Sequence, residues 1–211
     1  MKRKGILVVV SGFSGAGKGT LMKNLIKKYD NYALSISMTT RMPREGEMDG
    51  REYFFVSKET FEEKAKRGGL VEYACYCDNY YGTPREYVEA QLEMGKDVIL
   101  EIEIQGALKI KEKFPSALLL FVMPPSANQL RERLAGRGTE TQEVIDKRLC
   151  RAAEEAEGIE SYDYIVINDD LEVCTKELHS IIFAAHNAVD RNEGFIENMR
   201  QELNVLVKGE K

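Results

Sequence analysis

Ile6-Leu7-Val8-Val9-Val10-Ser11-Gly12-Phe13-Ser14-Gly15-Ala16-Gly17-Lys18-Gly19-Thr20 decides how this chain folds. Its first five residues are apolar and mostly β-branched, the pattern of a strand buried on both faces of a parallel sheet. After the glycines, Thr20-Leu21-Met22-Lys23-Asn24-Leu25-Ile26-Lys27-Lys28 places apolar residues at helical spacing. Strand, glycine turn and helix make the first half of a βαβ unit. Glycines at such a turn let successive N–H groups point at one phosphate, and the helix N-terminus adds positive potential. Lys18 supplies a compact charge for the outer phosphates of a triphosphate. The candidate cradle is therefore Gly12, Phe13, Ser14, Gly15, Ala16, Gly17, Lys18, Gly19 and Thr20. Gly19 stands where a hydroxyl residue usually follows the lysine, so Thr20, one position later, would reach Mg²⁺ directly or through water.

Outward from this unit the same alternation returns. Val98-Ile99-Leu100, Ala117-Leu118-Leu119-Leu120-Phe121-Val122 and Tyr164-Ile165-Val166-Ile167 read as buried strands flanked by helical segments, an α/β sandwich around a mostly parallel sheet. Two stretches break it. From Leu34 to about Tyr87 the chain is rich in Tyr, Thr, Gly and charge, with short runs such as Tyr53-Phe54-Phe55-Val56, and reads as an inserted small α+β lobe. Ser126-Ala127-Asn128-Gln129 has the form of a capping box. It opens a helix ending near Ala135-Gly136-Arg137-Gly138, and a second charged helix runs from about Thr141 to Glu157, so the pair reads as a movable flap. Beyond His186 the chain reads as an amphipathic helix.

The strand run Val98-Ile99-Leu100-Glu101-Ile102-Glu103-Ile104 acquires two carboxylates at its C-terminal end. Alternation places Glu101 and Glu103 on one face, where ligands of open α/β sheets collect. Carboxylates on a core strand are costly unless a metal or ligand compensates them.

The 211 residues suit one or two folding units. No apolar run approaches the roughly 20 residues of a membrane span, and the N-terminal apolar run is too short for a signal peptide. A net charge of −5 argues against a general nucleic-acid binder. The cysteines Cys75, Cys77, Cys150 and Cys174 have no zinc-site spacing and read as reduced thiols of a cytoplasmic protein. His179 and His186 lie on a late amphipathic stretch without a nearby nucleophile, so they read as packed or solvated helix residues. Composition leaves monomer and homo-oligomer open.

Ser37-Met38-Thr39-Thr40-Arg41-Met42-Pro43-Arg44 sets two arginines three apart around a proline, suited to gripping a second phosphate. Tyr53, Tyr81 and Thr83 add neutral donors, and Glu72 is an acceptor within an apolar run. With Asn79-Tyr80-Tyr81-Gly82-Thr83, Arg133-Leu134-Ala135-Gly136-Arg137-Gly138-Thr139-Glu140-Thr141 and Asn168-Asp169-Asp170, this order of motifs resembles the guanylate kinase family from about Ile6 to Ile182. The resemblance implies a P-loop kinase three-layer sandwich with an inserted nucleotide-monophosphate-binding lobe and a helical lid. The core would span 1–33, 88–125 and 158–190, the GMP lobe 34–87, the lid 126–157 and a C-terminal helical extension 191–211.

It also implies transfer of the ATP γ-phosphate to GMP and dGMP, with Mg²⁺. Ser37, Arg41, Arg44, Tyr53 and Tyr81 would bind the GMP phosphate. Glu72, Thr83 and Glu103 would read guanine, with Glu101 beside them. Arg133, Arg137 and Arg148 would close over the ATP phosphates, with Asn168 near adenine. Lys18, Arg41, Arg133, Arg137 and Arg148 would carry catalysis, and Thr20 and Glu103 would approach Mg²⁺. The family often has Asp at the position of Glu103, so the longer side chain is expected to shift its contact between guanine and the Mg²⁺ water shell. Arg131 and Arg151 read as a solvated helix face. A non-catalytic phosphopeptide-binding module lacks the cradle and the flap arginines, and a kinase for another small phosphate lacks a guanine reader.

Overall fold

Val8, Val9 and Val10 are fully buried because the strand they form is covered on both faces. In this computed structural model, residues 3–76, 78–136 and 141–208 are described. The first half of the chain runs β1 (Leu7–Gly12), α1 (Lys18–Lys28), β2 (Tyr32–Leu34), β3 (Ser37–Thr39), β4 (Tyr53–Phe55), α2 (Lys58–Lys66), β5 (Leu70–Tyr76), β6 (Asn79–Pro84) and α3 (Arg85–Glu93). There follow β7 (Asp97–Glu101), α4 (Ile104–Lys113), β8 (Leu118–Met123), α5 (Ala127–Ala135), α6 (Gln142–Ala156), β9 (Tyr164–Ile167), α7 (Leu171–Ala185) and α8 (Glu193–Lys208).

The central sheet has the order β2-β7-β1-β8-β9, every neighbouring pair parallel. Strand alternation sends Val8 and Val10 to one side, where they pack with Leu21 and Leu25 of α1 and Leu178 and Ile182 of α7. Val9 goes to the other, with Val88 of α3 and Ala107 and Ile110 of α4. Helix, sheet and helix are the three layers of an α/β sandwich with a parallel core.

Gly12 ends β1 because nothing larger fits. A Cβ there would lie 2.1 Å from the Val122 carbonyl oxygen of β8. Gly17 precedes α1 at φ +88°, with the Asn168 amide 2.5 Å from where a Cβ would stand. These two close approaches fold the cradle against β8 and the end of β9.

Asp97 anchors the other end of the sheet. Its buried carboxylate accepts from the Ile6 amide (2.8 Å), the Asn31 side chain (3.1 Å) and, through a 2.8 Å contact, pairs with His186 Nε2. Burial pushes this carboxyl up, while the Ile6 amide pulls it back. His179 stacks on Tyr29 with centroids 3.7 Å apart and shares a 2.7 Å hydrogen bond with the Tyr32 hydroxyl. Both histidines are thus packing residues remote from the cradle. Asp97→Ala strands a buried amide and is expected to cost about 2–4 kcal/mol. It should appear as a lower urea midpoint with an unchanged m-value.

The second sheet, ordered β4-β3-β6-β5, is confined to residues 37–84. It rests on its own apolar cluster of Met38, Phe61 and Leu70 with Phe54, Val56 and Tyr80 around them. Ser57 starts α2 by accepting from the Thr60 amide. α5 opens as its capping box predicts, Ser126 accepting from the Gln129 amide at 3.2 Å. Leu130 and Leu134 of α5 pack with Ile145 and Ala152 of α6 and against Phe13 in the cradle.

One expectation changes. β7 ends at Glu101, and Glu103 is the N-cap of α4, so strand alternation does not carry both carboxylates. They come together because the chain turns into α4 directly after the strand. No helix among the described residues is long and apolar enough to cross a membrane. Cys75, Cys150 and Cys174 are free thiols, and Cys77 lies outside the described residues.

Candidate active site

α1 begins without a side-chain cap, and no acidic residue occupies its first turn. Its leading N–H groups are therefore open to an anion at the positive end of the helix. Lys18 folds back over the cradle, its Nζ donating to the carbonyls of Gly12 (2.7 Å) and Phe13 (3.1 Å). Gly19 and Thr20 are exposed in the first turn.

A cleft of about 450 Å³ lies beside this turn, lined by Lys18, Glu101, Glu103, Arg148 and Arg151 among others. Glu101 is pushed above the ordinary carboxylate range, first by desolvation, with Lys18 opposing the shift. Arg148 reaches from α6 to donate to the Ser14 hydroxyl at 2.8 Å, so the flap helix touches the cradle. Arg133, from the last turn of α5, donates to the Asn168 carbonyl at 2.7 Å. The Asn168 side chain in turn donates to the Ala16 carbonyl at 2.8 Å and is almost fully buried. Asn168 therefore braces the cradle from behind and links it to the flap. Arg137 lies outside the described residues.

The second sheet gathers the remaining candidates through its register. Ser37 pairs with Tyr53 across β3 and β4, and Thr39 with Tyr81 across β3 and β6. The Arg41 guanidinium sits 5.3 Å from the centre of the Tyr53 ring. Arg44 is exposed on the loop that follows. Across β5 and β6 the register shifts between Leu70 and Tyr73, leaving Val71 and Glu72 to share Thr83 as their opposite residue. That bulge lets Val71 enter the core while the Glu72 carboxylate accepts the buried Thr83 hydroxyl at 2.8 Å. Desolvation raises the Glu72 carboxyl above its ordinary range, only partly offset by Thr83.

Two residues escape a reading by sequence. Glu47 grips Arg41 with both carboxylate oxygens (2.9 and 3.0 Å) and accepts the Arg44 amide at 2.7 Å. The Arg41 fork holds the Glu47 carboxyl below the usual range and is itself raised. In sequence Glu47 is one acid in a charged loop, and nothing local singles it out. Arg151 is the other: its guanidinium meets Glu103 at 2.6 Å and Glu155 at 3.2 Å, so it is an ion-paired side chain of the cleft rather than a bare solvated one.

Among the described residues, no group of three or more His, Cys, Asp or Glu side chains could by itself hold a metal ion. The carboxylates of Glu101 and Glu103 beside a phosphate cradle do fit Mg²⁺, which takes one or two carboxylates with substrate phosphates and water.

Residues 4–185 match the family model described as guanylate kinase. A guanylate kinase of Caldanaerobacter subterraneus subsp. tengcongensis is 49% identical over 202 residues, covering 96% of this chain and 98% of that one. One of Clostridioides difficile is 50% identical over 202 residues, with 95% and 98% covered. The crystal structure of guanylate kinase from Anaplasma phagocytophilum superposes with a TM-score of 0.69 at 32% identity, covering 90% of this chain and 91% of that chain. An uncapped cradle, arginines on the flap and an arginine–tyrosine cluster on a separate sheet thus occur in a chain that belongs to the guanylate kinase family.

Proposed function

We propose that this protein holds ATP on the cradle and GMP on the second sheet, in line with its activity as a nucleoside monophosphate kinase that phosphorylates GMP with ATP. The observation that carries the acceptor side is the desolvated Glu72 carboxylate, already bonded to Thr83. Guanine offers N–H donors to such an acceptor. Ser37, Arg41, Arg44, Tyr53 and Tyr81 take the GMP phosphate, with Glu47 presenting the Arg41 fork. Glu103 joins Glu72 and Thr83 in reading the base, with Glu101 beside it on the cleft wall.

On the donor side the amides of 12–20 cradle the phosphates, with Lys18, Arg133 and Arg148 as their cations; Arg137, outside the described residues, is assigned to the same group by its sequence motif. Asn168, its side chain committed to the cradle, is assigned to the adenine end by the resemblance alone. Glu101, Glu103 and the Thr20 hydroxyl are the residues that would hold Mg²⁺, directly or through water, and the ion would supply neutralisation of phosphate charge there.

A phosphate monoester has its second pKa near 6, so the acceptor oxygen is ionised at neutral pH and needs no general base. The barrier is electrostatic: about four negative charges on ATP meet about two on GMP. Positioned cations lower it, and closure of the flap excludes water that would otherwise take the phosphoryl group. Contacts of Arg148 with Ser14 and of α5 with Phe13 give the flap a direct hold on the cradle.

A coupled assay with ATP and GMP, dGMP, AMP, CMP or UMP tests the assignment. GMP should be turned over with dGMP following it, while AMP, CMP and UMP fall at least roughly 10³-fold behind in kcat/KM. Comparable rates on AMP would remove Glu72 and Thr83 from base reading.

A further inference from the structure

Arg151 is a cleft cation whose charge is already committed. It stands on α6, three residues beyond Arg148, and reaches across the cleft to Glu103 at the start of α4. Glu155, one turn further along α6, accepts from its Nε at 3.2 Å. Neighbouring carboxylates raise the guanidinium, Glu155 first. A cation flanked by two carboxylates is poorly placed to neutralise phosphate, because its field is largely cancelled. It is well placed to orient. Its Nη2 holds one oxygen of Glu103, leaving the other free to accept from a ligand. Glu103 caps α4 through no side-chain bond and is mostly exposed, so Arg151 is the partner that limits its rotamers.

We propose that Arg151 is a positioning residue for acceptor binding: from the flap it pins the Glu103 carboxylate in the orientation that reads guanine. This rests on the assignment of Glu103 to the base. The length of the side chain fits the role. Glu103 meets the arginine at 2.6 Å, and an aspartate, one methylene shorter, would have to be met by movement of α6. GMP binding and flap position are thereby coupled through a pair outside the phosphate cluster.

The test is steady-state kinetics of Arg151→Ala, Arg151→Lys, Glu103→Gln and the Arg151→Ala/Glu103→Gln double variant. Exposed ion pairs shift equilibria by less than about 5-fold, so Arg151→Ala should raise the GMP KM about 3-fold. The ATP KM and kcat should stay within about 2-fold, and the shift should shrink at high salt. Arg151→Lys should recover part of the loss. In the Glu103→Gln background the same alanine substitution should change the GMP KM by less than about 1.5-fold, since the charge it pins is gone. An unchanged GMP KM in Arg151→Ala, an equal rise in both backgrounds, or an effect confined to ATP overturns the proposal. Glu103→Gln alone with unaltered GMP kinetics would instead overturn the assignment of Glu103.

Discussion

Replacing Lys18 with alanine lowers kcat by roughly 10³-fold or more while ATP still binds, because the lost charge matters most when the γ-phosphoryl group is between its two oxygens. The cradle amides remain in the variant. They belong to the backbone of the loop and of an α1 start that carries no side-chain cap, so ground-state binding of the phosphates persists. What disappears is the ammonium of the cradle, now resting on the carbonyls of Gly12 and Phe13 and opposed across the cleft by Glu101. Removing it also takes away the cation that favours the charged form of Glu101, so that carboxyl shifts further toward its neutral form. Lys18→Arg is not expected to rescue. The Lys18 ammonium rests on the carbonyls of Gly12 and Phe13 at 2.7 and 3.1 Å, and a planar fork is not interchangeable with that compact charge. Initial rates at saturating ATP and GMP, with ATP affinity measured separately by calorimetry, separate the two effects. A loss of only a few-fold would mean that transfer takes place away from the cradle.

The parts of this design legible in sequence are those written in consecutive residues. β1, its glycine turn and α1 follow from an apolar run, two positions where only glycine fits and a helical repeat. The flap helices follow from a capping box and a glycine stop, both local. Long-range pairing has no such signature. Glu47 looks like any loop acid until the fold brings it onto Arg41, six residues away by chain but facing it in space. Arg151 sits on a helix face that reads as solvated, and its partner Glu103 is 48 residues distant. Alternation misplaced Glu103 for a definite reason: β7 stops one residue after the buried run, and the helix that follows sets the direction of the side chain. The bulge at Val71 and Glu72 is similarly silent, since only the partner strand reveals that two residues face one.

Glu72→Gln should then separate base reading from stability. The bulge places the Glu72 carboxylate where water is scarce, and burial drives its pKa up against the pull of Thr83. A carboxyl raised in the folded state lends stability below its unfolded pKa and loses it as pH rises through the folded value. At neutral pH the ionised group therefore opposes folding. The neutral amide, which can still accept from Thr83, should melt no lower than the parent protein. Activity should behave in the opposite way. An ionised Glu72 accepts two donors from the edge of guanine, whereas the amide of the variant would present an N–H to one of them. A polar site that mispairs loses discrimination on the scale of roughly 10²–10⁴-fold. The expected result is a GMP KM raised about 10²-fold, with the preference for GMP over AMP falling by a similar factor. The parent enzyme should gain kcat/KM for GMP as pH rises, in one step from Glu72, whose ionisation is displaced above the ordinary carboxylate range by desolvation, and in another from the GMP phosphate near pH 6. In the variant only the phosphate step survives, so its profile should be shallower. Equal slopes, or GMP kinetics unchanged in the variant, would show that the carboxylate beside Thr83 reads no base.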